Sequence, residues 1–129
     1  MANLGNNAVR IIDHDGDVAT VTSNRLDVNA TVTTASTAIN NGTTKVVTTA
    51  GTDVVLGGDV ACKRIEIQAQ TDNTGIIAVG ATGVDATEAT GTGIILYPGD
   101  VMTLETDNLS DVFIDSTVDG EGVRFVYFT

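Results

Sequence analysis

Polar and apolar residues alternate at a period of two along several short stretches of this chain, as strands with one buried face require. Arg64-Ile65-Glu66-Ile67-Gln68-Ala69 does so most cleanly and sets Ile65, Ile67 and Ala69 on one side. Near the C-terminus, Val123, Phe125 and Tyr127 share one face, while Arg124, Val126 and Phe128 share the other. Val101-Met102-Thr103-Leu104-Glu105 is less regular. The pattern predicts strands over 45–49, 53–56, 63–69, 75–79, 93–97, 101–105, 111–115 and 122–128. Turn signals separate them: Gly57-Gly58, Asp72-Asn73, Pro98-Gly99-Asp100 and Asp119-Gly120-Glu121-Gly122. Pro98-Gly99 suits the middle of a type II turn, because Pro presets the first central φ and Gly takes the positive second one. Short strands at this spacing predict an all-β fold, an antiparallel β-sandwich or jelly-roll-like domain.

The first third of the chain reads differently. Val9-Arg10-Ile11-Ile12 and Val18-Ala19-Thr20-Val21-Thr22 flank Asp13-His14-Asp15-Gly16-Asp17, which predicts a hairpin about an Asp-Gly turn. Ser23-Asn24 is the next turn signal, and the alternation then sets Leu26, Val28, Ala30 and Val32 on one face. Residues 33–44 have little to bury and read as a linker. A hairpin and a single strand are marginal in water on their own, so this segment needs something to pack against. The expected organisation is therefore an extended N-terminal hairpin or arm with its linker over 1–42, and a β-sandwich over 43–129. The longer stretch 81–91, built of small residues, reads as a mobile or partner-facing loop.

Composition supports sheet over helix. Val occurs 17 times and Thr 21 times among 129 residues, against 5 aromatic rings. Both are β-branched, which stiffens χ1 and suits a pleated surface. The formal net charge of −11 argues against nucleic acid, because the six basic residues are mostly scattered and give no cationic patch. Cys62 is the single cysteine, so no intramolecular disulfide forms within one chain. The N-terminus lacks the basic and apolar regions of a signal peptide, and no apolar run reaches the roughly 20 residues of a membrane span. A soluble protein made in a reducing cytoplasm, without nucleic-acid or membrane partners, is the expectation.

Candidate chemistry is sparse. Counted as a calcium loop from Asp13, the sequence has Val18 where Gly is needed and Asn24 where Glu is needed. His14 is the sole histidine and lies far from Cys62 in sequence, which poorly suits Ser-His or Cys-His catalysis or structural zinc. No phosphate-cradling Gly-rich motif occurs, and no spacing singles out a carboxylate pair. Tyr97, Phe113, Phe125, Tyr127 and Phe128 are the only rings and there is no Trp, so a sugar-stacking platform has little to build on. Lys63-Arg64, the one adjacent basic pair, reads as a solvated strand end, with a salt bridge to another subunit as the other reading. These residues predict a protein that is not an enzyme, with no catalytic residue, metal or cofactor.

Several segments resemble small virion proteins of tailed bacteriophages. They are residues 62–69, 73–80, 93–100 (Gly93-Ile94-Ile95-Leu96-Tyr97-Pro98-Gly99-Asp100), 111–116 and 120–127. Arg10-Ile11-Ile12-Asp13-His14-Asp15-Gly16-Asp17 and Leu26-Asp27-Val28-Asn29-Ala30 are similar to the N-terminal segment of such proteins. The resemblance implies a virion structural protein of capsid-decoration (cement) or head-fibre type. It implies a homo-oligomer, a trimer by the habit of such proteins, bound to the major capsid protein on the capsid surface. Arg10, Ile11, Ile12, Arg25, Leu26 and Val28 are the expected interface residues. Two alternatives stay open: a tail or head-fibre component touching the host surface, and a carbohydrate-binding β-sandwich module.

Overall fold

The computed structural model of the chain describes residues 35–129 and, before them, two short strands, β1 (Val21–Thr22) and β2 (Arg25–Leu26). The chain divides into two compact units, 1–33 and 34–129. In the first unit β1 and β2 pair antiparallel, Val21 opposite Leu26 and Thr22 opposite Arg25. The rest of the expected hairpin and the remainder of the 25–32 strand lie outside the described residues.

The second unit is all-β, two antiparallel sheets packed face to face. One sheet has the order β5 (Val54–Val55), β10 (Phe113–Ser116), β7 (Ile77–Gly80), β8 (Ile94–Leu96). The other runs β3 (Ile39–Asn41), β11 (Gly122–Phe128), β6 (Arg64–Ala69), β9 (Val101–Leu104), and β4 (Lys45–Val46) also pairs with β11. Apart from the β7–β8 hairpin, every connection from β4 to β11 passes from one sheet to the other. All eight strands expected after residue 44 are present, most of them shorter than the sequence pattern.

Alternation decides which residues reach the core. Along β6, Ile65, Ile67 and Ala69 are buried and their neighbours are not, as predicted. From β11, Val123 and Phe125 join them, and the opposite sheet contributes Ile77, Leu96 and Ile114. Burying a side chain such as Ile65, with none of its surface left to water, is worth about 1.5–3 kcal/mol against leaving it exposed. Tyr97 to Asp100 forms the expected turn: Gly99 has φ +86°, and the Asp100 N–H donates to the Tyr97 carbonyl at 2.9 Å.

Three expectations are corrected. The stretch 33–44 is not merely a linker, because β3 lies inside it and pairs with Val126, Tyr127 and Phe128. An edge strand is held by main-chain hydrogen bonds and needs little apolar surface, which is why its composition hid it; Ile39 stays exposed. Between β3 and β4 the register slips, Asn41 standing opposite Val126 and Lys45 opposite Val123, so residues 42–44 form a β-bulge against Arg124 and Phe125. The strand expected over 75–79 starts later, at Ile77, because the Thr74 and Gly75 amides bind the Glu121 carboxylate instead of a ladder. The strand expected over 111–115 likewise starts at Phe113. Leu109–Asp111 before it is a 3-10 turn capped by the Asn108 side chain, which accepts the Ser110 N–H at 2.9 Å.

The third correction concerns the loop 81–91. Val84 and Ala86 are buried against Ala78 and Phe113, forming a second small apolar cluster on the outer face of the four-stranded sheet. The Ala86 N–H donates at 2.8 Å to Oδ2 of Asp115, a β10 residue only 1% exposed. The Thr87 hydroxyl and N–H hold the Asp85 carboxyl below the usual carboxylate range. The loop is thus packed onto its own sheet, with 87–90 facing out.

Candidate docking face

The two sheets differ in what covers their outer faces. The four-stranded sheet has the 84–86 segment over it. The five-stranded sheet presents its outer side chains within this unit as three cross-strand rows. Ile39, Phe128 and Arg64 form the first, and Asn41, Val126, Glu66 and Thr103 the second. Arg124, Gln68 and Val101 form the third. Ile39 is 63% exposed and Val101 60%, and Arg124 also points to water. A shallow cavity of about 270 Å³ sits among Glu66, Gln68, Val101, Arg124 and Val126.

Charge sets this face apart. Residues 35–129 hold thirteen acids and four basic residues, and those four are Lys45, Lys63, Arg64 and Arg124. Lys45, Arg64 and Arg124 lie in strands of the five-stranded sheet, and Lys63 leads into one of them, while the four-stranded sheet carries none. The three outer rows hold two arginines and a single acid, Glu66. Arg64 stacks on the Phe128 ring, its guanidinium carbon 4.0 Å from the ring centre, and approaches Glu66 at 3.9 Å. An exposed pair of that kind adds little stability. The stacking matters more for shape, because it lays the guanidinium flat along apolar surface. A sheet face that mixes Ile39, Val101, Val126 and Phe128 with polar residues and two cations suits a partner surface that offers both apolar and acidic groups.

Sequence reasoning missed Arg124, Val126, Phe128 and Val101 as a group, because cross-strand register, not sequence spacing, brings them together. The only available signal was the polar-apolar alternation in β11, whose outer positions are Arg124, Val126 and Phe128. Of the expected interface residues, Arg10, Ile11, Ile12 and Val28 lie outside the described residues. Arg25 and Leu26 form β2, opposite Thr22 and Val21. His14 and the 13–17 turn are also outside them.

Elsewhere the chemistry is structural. Cys62 is buried, and burial first, then the charges of Asp107 and Asp111, push its thiol pKa up. Among the described residues no three His, Cys, Asp or Glu side chains gather as metal ligands would. Among them, too, no helix is long and apolar enough to cross a membrane. Four of the five rings fall in β10 and β11, and Tyr97, beyond β8, is half exposed. Compared with known proteins, the chain matches no family description, no curated protein and no solved structure.

Proposed function

We propose that this chain is a bacteriophage virion structural protein, without catalytic activity, that decorates the capsid by laying the outer face of its five-stranded sheet on the major capsid protein lattice. The observation that carries the reading is the placing of Arg64 and Arg124 with exposed Ile39 and Val101 and half-buried Val126 on the outer face of one sheet of an otherwise strongly acidic domain. The segmental resemblance to phage virion proteins supplies the partner. Many copies bound side by side on one lattice gain avidity from modest single contacts.

Cosedimentation of the purified chain with expanded heads of its parent phage tests this. Saturable binding at many sites per head is expected. Arg124→Glu is expected to weaken it at least tenfold, and added salt is expected to weaken the wild type. Failure to bind heads, together with binding to tails or to a glycan array, would replace decoration by the fibre or sugar-binding reading.

A further inference from the structure

The sandwich is open along one flank. Where β4 leads toward β5, Val47 is fully buried and fills that side of the core. On the other flank run β8 and β9, successive strands joined by the tight turn at Pro98-Gly99. Among the described residues β9 is the longest edge strand, and it pairs only with β6. The Ala69 N–H donates to the Asp100 carbonyl at 3.0 Å, and bonding alternates along an antiparallel pair. Met102 and Leu104 therefore bond toward β6, while Val101 and Thr103 turn their N–H and C=O groups to the free side. The side chains of Met102 and Leu104 point inward, opposite Ile67 and Ile65, yet are only partly covered. Ile94 of β8 also faces inward and is 57% exposed. A groove of about 330 Å³ lies among these three, floored by Val79 and Val112 and edged by Glu105.

Open main-chain groups beside an unfilled apolar groove meet the needs of an added strand: partners for its hydrogen bonds, and sites for its alternate side chains. Charge selects the occupant. Asp100 and Glu105 stand immediately before and after β9. None of the four basic residues after residue 34 lies in β8, in β9 or between them. A second copy pairing antiparallel through β9 in full register would set Asp100 against Glu105, and a parallel one would set each acid against itself. Like charges directly opposite are destabilising. A guard against self-pairing accounts for the two acids, but not for an apolar groove left open between them. A cationic strand accounts for both. We propose that β9 receives an extended segment of a different protein, carrying Lys or Arg at two positions five apart, with apolar residues at alternate positions between them. The cations meet Asp100 and Glu105, and the apolar side chains cover Ile94, Met102 and Leu104. At ~3.3 Å per residue the two acids stand about 16 Å apart along the strand, which sets the spacing of the cations. This edge lies beside the outer face of the sheet and not on it, so the inference stands independently of head binding.

A displayed library of random peptides, panned on the immobilised full-length chain, tests it. Peptides with Lys or Arg five apart and apolar residues at alternate positions between are expected to be enriched. Synthesised singly, the best of them is expected to bind at least tenfold more weakly to Thr103→Pro, which removes an N–H from the free edge and leaves the β6 ladder whole. Glu105→Lys keeps every main-chain group in place and is expected to weaken binding to a similar degree, and added salt is expected to weaken the wild-type complex. Bound peptide is expected to slow hydrogen exchange at the Val101 and Thr103 amides, both open in the free chain. Failure to enrich any peptide, enrichment of acidic or pattern-free peptides, or equal binding to the wild type and either variant overturns the proposal. So does protection of Val101 and Thr103 in the free chain. At every concentration it would mean that the chain covers its own edge, and only at high concentration that a second copy does.

Discussion

Gly42 rests against the ring of Phe125. Its N–H donates to the Phe125 carbonyl at 3.0 Å, and a Cβ at this position would run into Cδ2 and Cε2 of the ring and into that same carbonyl oxygen. The bulge between β3 and β4 thus presses backbone onto a core aromatic, which only a residue without a side chain permits. Gly42→Ala is expected to cost about 1–3 kcal/mol through overpacking, read by urea denaturation. Gly58→Ala, where a Cβ would meet nothing within 4 Å, is the control and is expected to stay within about 0.5 kcal/mol of wild type. Equal losses at both positions would show that the ring contact is not what Gly42 provides.

Glu121 clasps the turn before β7 to the turn before β11. Its carboxylate accepts the Thr74 N–H, the Thr74 hydroxyl at 2.7 Å and the Gly75 N–H at 3.0 Å. Burial by itself raises its pKa, but the hydrogen bonds from Thr74 and Gly75 outweigh burial and hold it below the usual value. A carboxyl whose pKa is depressed in the folded state stabilises above its unfolded pKa, about 4.3 for Glu, and loses that contribution as pH falls through the folded value. Stability is therefore expected to decline on acidification from near that pH downward. Glu121→Gln is expected to flatten that part of the profile and to cost about 1–3 kcal/mol at neutral pH. An unchanged acid limb in the variant would assign the decline to other carboxylates.

Asp115 ties the 84–86 segment to its sheet. Removing the carboxylate in Asp115→Ala leaves the Ala86 N–H without its acceptor, at an expected cost of about 1–3 kcal/mol. Hydrogen exchange at the Ala86 amide is expected to rise sharply in this variant while the β6 amides stay protected. Unaltered protection at Ala86 would mean that the Val84 and Ala86 side chains alone hold the loop down.

Cys62 is expected to resist thiol reagents in the native protein. It is 6% exposed, its Sγ lies 3.5 Å from the Thr106 carbonyl oxygen, and its raised pKa leaves little thiolate. Labelling at pH 8 is expected to be more than about tenfold slower than in denaturant. Rapid native labelling would show that the chain just before β6 opens readily.

How much of this protein was legible in its sequence follows from the range of the forces involved. The strands, the inward set Ile65, Ile67 and Ala69, and the Pro98-Gly99 turn depend on period-two alternation and on local φ preferences, so neighbouring residues specify them. Strand ends were less legible. Thr74 and Gly75 leave the ladder for Glu121, which is distant in sequence, and Asn108 caps a turn through its own side chain. The β3 edge, the folding of Val84 and Ala86 onto their sheet, and the bulge at Gly42 were decided only by tertiary structure. Each is held by a partner that arrives from elsewhere in the chain. The docking face is the strongest case. Arg64 reads as part of a solvated strand end with Lys63, and nothing local links it to Arg124, yet the β6–β11 register sets the two arginines on one surface with Val126 and Phe128. Antiparallel pairing makes neighbours of residues far apart in sequence, and no local pattern encodes which strand a given strand will lie beside.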